Sequence, residues 1–182
     1  MNFLETPIKD LLIVEPKVWN DPRGYFFESY NCNYFVEAGI EADFVQDNQS
    51  LSQRGTLRGL HAQGPPFAQG KLVRVIQGKV LDIVVDIRKN SATFGKSYSL
   101  ELSGENKLML WIPPGFLHGF STLADNTVFS YKVTNFYDKA SEVGVRWDDP
   151  DLNIDWKLEK DEIILSEKDK VLPFLKDITS PF

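Results

Sequence analysis

Apolar and polar side chains alternate with a period of two along most of the chain beyond its first ten residues. RGYFFESY (23–30), DFVQDNQSL (43–51), KLVRVI (71–76), KVLDIVVDIR (79–88), SYSLEL (97–102), KLMLWI (107–112) and NTVFSYKV (126–133) are short and rich in β-branched and aromatic residues. Turn signals at Gln77-Gly78, Ser103-Gly104 and Asp125-Asn126 separate them, which predicts an all-β domain built as a sandwich or barrel. Within KVLDIVVDI, Leu81, Ile83, Val85 and Ile87 share one face, and Asp82, Val84 and Asp86 share the other. The plainer expectation for the aspartate face, and for Asp86 in particular, is contact with solvent, although a ligand-binding barrel also keeps polar groups inside. Only 31–39, NCNYFVEAG, reads as a helix, with Tyr34, Phe35 and Ala38 on its apolar face and Gly39 as its stop. A second short helix is expected in SEKDKVLPFL near the C-terminus. No repeat, low-complexity tract or linker divides the chain, so 1–182 is expected to be one domain.

The length of 182 residues is enough to bury a full core. No run of eighteen apolar residues occurs, and MNFLETPIKD lacks the basic and apolar blocks of a signal peptide. A cytoplasmic protein without a membrane partner is therefore expected. Cys32 is the single cysteine, so neither an internal disulfide nor a thiolate metal site is available, and a small, half-buried side chain is expected there. The formal charge of −6 argues against non-specific binding to nucleic acid. It leaves room for a phosphorylated small molecule held by a few converging cations such as Arg23, Arg58 and Lys71.

The chain contains two histidines, His61 in GTLRGLHAQ and His118 in WIPPGFLHGF. Each could be a metal ligand, a proton carrier or a buried ring with its nitrogens paired. Gly55, His61 and Gln63, followed by Pro113, Gly115 and His118, resemble the paired motifs of the cupin superfamily, whose fold is a jelly-roll barrel. Metal-binding cupins usually carry a second histidine two residues after the first and a glutamate soon afterwards. Here Gln63 fills the first place and GPPFAQGKL supplies no acid, so the ligand set falls short and no metal is expected. The weight moves to proton transfer by neutral imidazole.

A closer resemblance rests on seven blocks in order: D-x-R-G-x-F-x-E-x-Y at 21–30, FVQDNQSLS, LRGLHAQ, QGKLVRVIQGKVLDIVVDIR, PPGFLHGF, SYKVTNFY and RWDDPDLNIDW. Together they resemble the dTDP-4-dehydrorhamnose 3,5-epimerase family. The resemblance implies a jelly-roll barrel, a homodimer and a cofactor-independent inversion of C3 and C5 in a dTDP-linked 4-keto-6-deoxyglucose, within dTDP-L-rhamnose biosynthesis. Relatives that invert one centre or move the ketone, and cupins that only bind a sugar or nucleotide, share the scaffold. In such chemistry the C4 ketone acidifies both neighbouring C–H bonds. One base forms an enolate, a cation steadies its oxygen and an acid across the ring reprotonates it.

Carried over by position, the resemblance makes His61 the base, Tyr131 the acid, Lys71 the cation at the oxyanion and Asp169 the partner of His61. It assigns Arg23 and Arg58 to the diphosphate and Phe26 to the thymine. Glu28, Gln46, Asp47, Asn48, His118, Glu142 and Lys168 become further ligand-side positions, with Lys71 also touching substrate. Asp82 is a candidate partner of His118. Arg23, Phe26 and Glu28 are expected to serve the neighbouring subunit through an exchanged N-terminal strand. Ala62 stands where relatives often have an aromatic residue and is expected to reshape the pocket. Arg58 and His61 are three apart, so a regular strand would aim them at opposite faces. An irregularity at Gly59 is therefore expected if both meet one substrate.

Overall fold

A computed structural model describes residues 1–182. In chain order the strands are β1 (Asn2–Glu5), β2 (Leu12–Glu15), β3 (Trp19–Asp21), β4 (Gly24–Phe26), β5 (Gln46–Ser52), β6 (Leu57–Gln63) and β7 (Lys71–Gln77). They continue with β8 (Lys79–Asp86), β9 (Ser97–Ser103), β10 (Met109–Ile112), β11 (Phe116–Thr122), β12 (Thr127–Val133) and β13 (Glu142–Gly144). Two antiparallel sheets face each other: one runs β1-β2-β10-β7-β12-β5 and the other β13-β6-β11-β8-β9. A separate ribbon pairs β3 with β4. The fold is the cupin-type jelly roll, and the period-two reading of the middle of the chain matches it. β1 and β2 lie in the stretch where alternation is weakest, and their pairing against β10 is what makes them strands.

The space between the sheets is filled at one end by Val73, Val75, Phe129 and Leu110 from the first sheet and Val80, Val84, Phe116 and Phe120 from the second. At the other end, polar side chains from the same inward faces line a cavity. The outer face of the second sheet is also apolar. Leu81, Ile83, Val85 and Ile87 pack there beneath a C-terminal tail anchored by Leu152, Trp156, Leu175 and Phe182. The short helix expected in SEKDKVLPFL is a single 3-10 turn at Asp169–Val171, followed by another at Leu175–Asp177. Pro173, which has no N–H to donate and fixes its own φ, separates the two.

Helix α1 (Cys32–Glu37) starts where Asn31 accepts a hydrogen bond from the Asn33 N–H and ends before Gly39 at φ +78°. It covers the outer face of the first sheet through Phe35, which meets Phe3, Tyr30 and Phe44 edge-on or tilted. Tyr34, expected on that face, is exposed instead, because one short helix can press only about one side chain per turn into a flat sheet. Cys32 is exposed rather than half-buried, since it occupies the first turn on the solvent side.

Asp86 corrects the expectation of a solvated carboxylate. It is completely buried, and Arg88, Ser91 and Thr93 hydrogen-bond its two oxygens at 2.6–3.0 Å. Burial by itself would raise its pKa, but these donors outweigh burial and hold it at about 2. No helix is long and apolar enough to cross a membrane.

Candidate active site

β6 and β11 carry the two histidines side by side, His61 opposite His118 in the ladder. From that pair the register advances three residues on β6, to Arg58, but only two on β11, to Phe120. The extra residue is a bulge, and it turns Arg58 onto the face that His61 uses. Gly59 makes this possible at φ +122°, where a Cβ would lie 2.5 Å from Gly119 Cα and 2.8 Å from the His118 carbonyl oxygen. The irregularity expected from the three-residue spacing is thus present at Gly59.

The result is a cavity of about 590 Å³ between the sheets. His61, His118 and Arg58 enter it from the second sheet, and Asn48, Lys71 and Tyr131 from the first. Phe129 floors it, with the ring of Phe120 stacked 4.2 Å away and that of His118 at 6.1 Å. The tail supplies Ser166, Lys168 and Asp169 as a third wall. A second lobe of about 330 Å³ shares Asn48, His61, Lys71 and Tyr131 with the first and extends to Gln46, Tyr137 and Glu142. Ala62 borders that lobe while packing into the apolar layer under the tail.

Both imidazoles are held by a carboxylate. His61 Nε2 lies 2.6 Å from Asp169 Oδ1, and His118 Nε2 lies 2.9 Å from Asp82 Oδ2. A carboxylate accepting from Nε2–H fixes the tautomer and leaves Nδ1 with its lone pair. Burial tends to raise the pKa of Asp169. The hydrogen bond and charge of His61, helped by Ser166 and Lys168, reverse this and lower it. Asp82 shows the opposite outcome. Deep burial raises its pKa although His118 and Lys71 both pull it down. Its Oδ1, like Ser50 Oγ, has no hydrogen-bond partner.

Lys71 shares strand parity with Val73 and Val75 and so points inward from an otherwise apolar face. Burial drops its pKa to about 8, against the upward pull of Asp82 and Glu142. Tyr131 projects from the neighbouring strand two residues after Phe129, and burial raises its pKa against the attraction of Arg58. The guanidinium of Arg58 makes two long hydrogen bonds to Ser52 Oγ, at 3.3 and 3.4 Å, and lines the cavity. Lys168 of the tail is ion-paired with Glu142 of β13.

Four expected site residues lie elsewhere in this chain. Asp47 alternates to the outer face of β5 and pairs with Lys132 at 2.8 Å, so its side chain points away from the cavity that Gln46 and Asn48 border. Arg23, Phe26 and Glu28 belong to the ribbon and the segment after it, outside both lobes. The Arg23 side chain is 90% exposed and bound to Asp21, Phe26 is 67% exposed, and Glu28 accepts from Asn31 at 2.9 Å. Residues that went unremarked in the sequence include Ser50, Tyr137 and the Ser166 hydroxyl. Only an aromatic in SYKVTNFY could have signalled any of them. No group of three or more His, Cys, Asp and Glu side chains converges as a metal ion requires.

An imidazole on one sheet faces a phenol and an ammonium on the other across one cavity, an arrangement that suits inversion next to a carbonyl. The family model described as dTDP-4-dehydrorhamnose 3,5-epimerase matches residues 5–177. The dTDP-4-dehydrorhamnose 3,5-epimerase of Shigella flexneri is 54% identical over 170 residues, which is 93% of both chains. The crystal structure of the enzyme of that name from Elizabethkingia anophelis superposes with a TM-score of 0.93 at 52% identity, covering 97% of each chain. A dTDP-6-deoxy-D-glucose-3,5-epimerase from Legionella pneumophila, solved with dTDP-4-keto-L-rhamnose, gives a TM-score of 0.93 at 47% identity, over 98% of this chain and 94% of that one. The chain belongs to the dTDP-4-dehydrorhamnose 3,5-epimerase family, a family of carbohydrate-epimerising isomerases.

Proposed function

We propose that this chain inverts C3 and C5 of a dTDP-linked 4-keto-6-deoxyglucose through an enolate, with His61 as base, Tyr131 as acid and Lys71 at the enolate oxygen. The observation that carries the reading is the position of the imidazole and the phenol on opposite walls of one cavity. His61 Nδ1 takes the proton from C3 and the C–H electron pair moves into the C4 enolate. Tyr131 then delivers its proton to the other face of C3, and the enolate pair forms the new C–H bond. His61 releases its proton to solvent and Tyr131 regains one, after which the same cycle runs at C5. A positioned base contributes about a hundred- to ten-thousandfold and one donor to an oxyanion about a hundred- to thousandfold, so the rate needs both.

Arg58 suits a phosphate oxygen of the diphosphate, since its planar guanidinium can bind two oxygens at once. Asn48, Gln46, His118, Glu142 and Lys168 border the same space and orient the ligand. Asp169 and Asp82 hold the two imidazoles. The ribbon supports a homodimer in which one jelly-roll domain lends Arg23, Phe26 and Glu28 to its partner's cavity. Trp19, Tyr25 and Phe26 are exposed on it together, an unusual amount of aromatic surface to leave in water. We place the protein in the cytoplasm, without nucleic acid or membrane as partner, in keeping with its charge of −6.

Incubation with the 4-keto-6-deoxyglucose nucleotide in deuterated water tests the reaction. Deuterium at both C3 and C5 is the expected result. Deuterium at one carbon points to a single-centre enzyme, and binding without any exchange removes the catalytic reading.

A further inference from the structure

Gln63 follows His61 by two residues on β6, faces the same way and is 4% exposed; it borders the second lobe but not the larger one. Its amide is engaged on both sides. Nε2 donates to the Phe67 carbonyl at 2.7 Å and to the Phe136 carbonyl at 3.1 Å, and Oε1 accepts from the Asp138 N–H at 2.9 Å. The partners are backbone groups of two connections, 64–70 and 134–141, that lie outside the sheet ladders. Five other bonds join the same connections: Gly64 N to Ser141 O, Gln69 Nε2 to Asn135 O, Asn135 Nδ2 to Pro66 O, Thr134 N to Gly70 O and Gly70 N to Thr134 Oγ1.

Tyr137 lies between the two residues of its connection that Gln63 holds, Phe136 and Asp138. Its backbone is fixed on either side while the residue, 60% exposed, borders the second lobe, with Oη 3.4 Å from Glu142 Oε2. Glu142 itself pairs with Gln63 in the β6–β13 ladder. A flat ring mounted on a rigid support loses little freedom when a planar group stacks on it, whereas the same ring on a loose loop would.

We infer that Gln63 is a positioning residue. It clamps the 134–141 connection so that Tyr137 and Glu142 are held ready for the nucleotide end of the substrate, away from the carbons that react. The identity of that ligand rests on the epimerase reading above. Gln63 does not touch the reacting atoms, so its loss is expected to weaken binding and leave the turnover of bound substrate in place.

Gln63→Leu keeps most of the volume and removes all three hydrogen bonds. Leaving buried partners unpaired corresponds to a rise of about five- to a hundredfold in KM for the sugar nucleotide and a matching loss of affinity for dTDP alone, measured by calorimetry. The turnover number for deuterium exchange is expected to stay within about threefold, since a readout at saturation is blind to uniform binding. In a Tyr137→Ala background the same substitution should add little, because the group it positions is gone. If Gln63→Leu does not fold, Asn135→Ala carries the test. It removes one stitch, lines neither lobe and should move KM in the same direction by less.

Unchanged KM and unchanged dTDP affinity in a folded variant would overturn the inference, as would a collapse of turnover at constant KM. A parent chain that binds dTDP but exchanges no deuterium would remove the epimerase reading alone. The clamp would still be tested by dTDP affinity.

Discussion

Asp169 Oδ1 stands 2.6 Å from His61 Nε2 although 108 residues separate the two in the chain. The tail that seals the outer face of the second sheet thereby also delivers the carboxylate that fixes the imidazole tautomer. An amide at this place can present either its oxygen or its NH2 to the ring and carries no charge to steady an imidazolium. Asp169→Asn is expected to lower the turnover number on the order of a hundredfold or more with dTDP affinity nearly unchanged, measured by steady-state kinetics and calorimetry.

Lys71 is expected to set the alkaline side of the pH profile. With its pKa pushed down to about 8 by burial, the ammonium at the enolate oxygen is lost as pH rises through that value, and the turnover number should fall with it. Lys71→Arg keeps the charge, so whatever activity remains should lose this limb. The stability effect has the opposite sense. Between pH 8 and the ordinary lysine value near 10.5 the unfolded chain binds a proton that the folded chain has given up, so this group makes the fold more stable as pH rises across that window.

Most of the fold was legible because each strand has one face against the interior and so alternates. The Gly59 bulge was legible because two side chains three apart were required on one face. Burial of Asp86 was not, since its partners Arg88, Ser91 and Thr93 sit in the turn that follows its strand, and alternation carries no information about turns. Asp47 failed for a related reason. A motif match across QDN includes both strand faces, and only alternation separates the inward Asn48 from the outward Asp47. Two of the three hydrogen bonds of Gln63 go to backbone groups more than seventy residues away, and these leave no local pattern.

Asp86 is the carboxylate whose loss should be felt most in acid. Its folded pKa near 2 lies below the ordinary 3.8, so its contribution is fully present above about pH 4 and is lost as pH falls toward 2. The difference corresponds to about 2 kcal/mol. Urea unfolding at successive pH values should show the parent chain losing more stability between pH 4 and pH 2 than Asp86→Asn, which has no proton to gain.

The exposed ribbon predicts a shared site. Arg23→Ala and His61→Ala each damage one half of a composite cavity, so a mixture of the two, dissociated and reassociated, should recover activity that neither variant shows alone. Absence of recovery in a mixture shown by native mass spectrometry to contain the hybrid dimer would mean that Arg23 serves its own chain or none.

The most direct measurement is deuterium exchange at C3 and C5 by His61→Asn beside the parent chain, with dTDP affinity measured in parallel. Removal of the base should reduce exchange at both carbons by about a hundred- to ten-thousandfold while dTDP binds within a few-fold of the parent. Exchange that persists at the parent rate in this variant would contradict proton abstraction by His61.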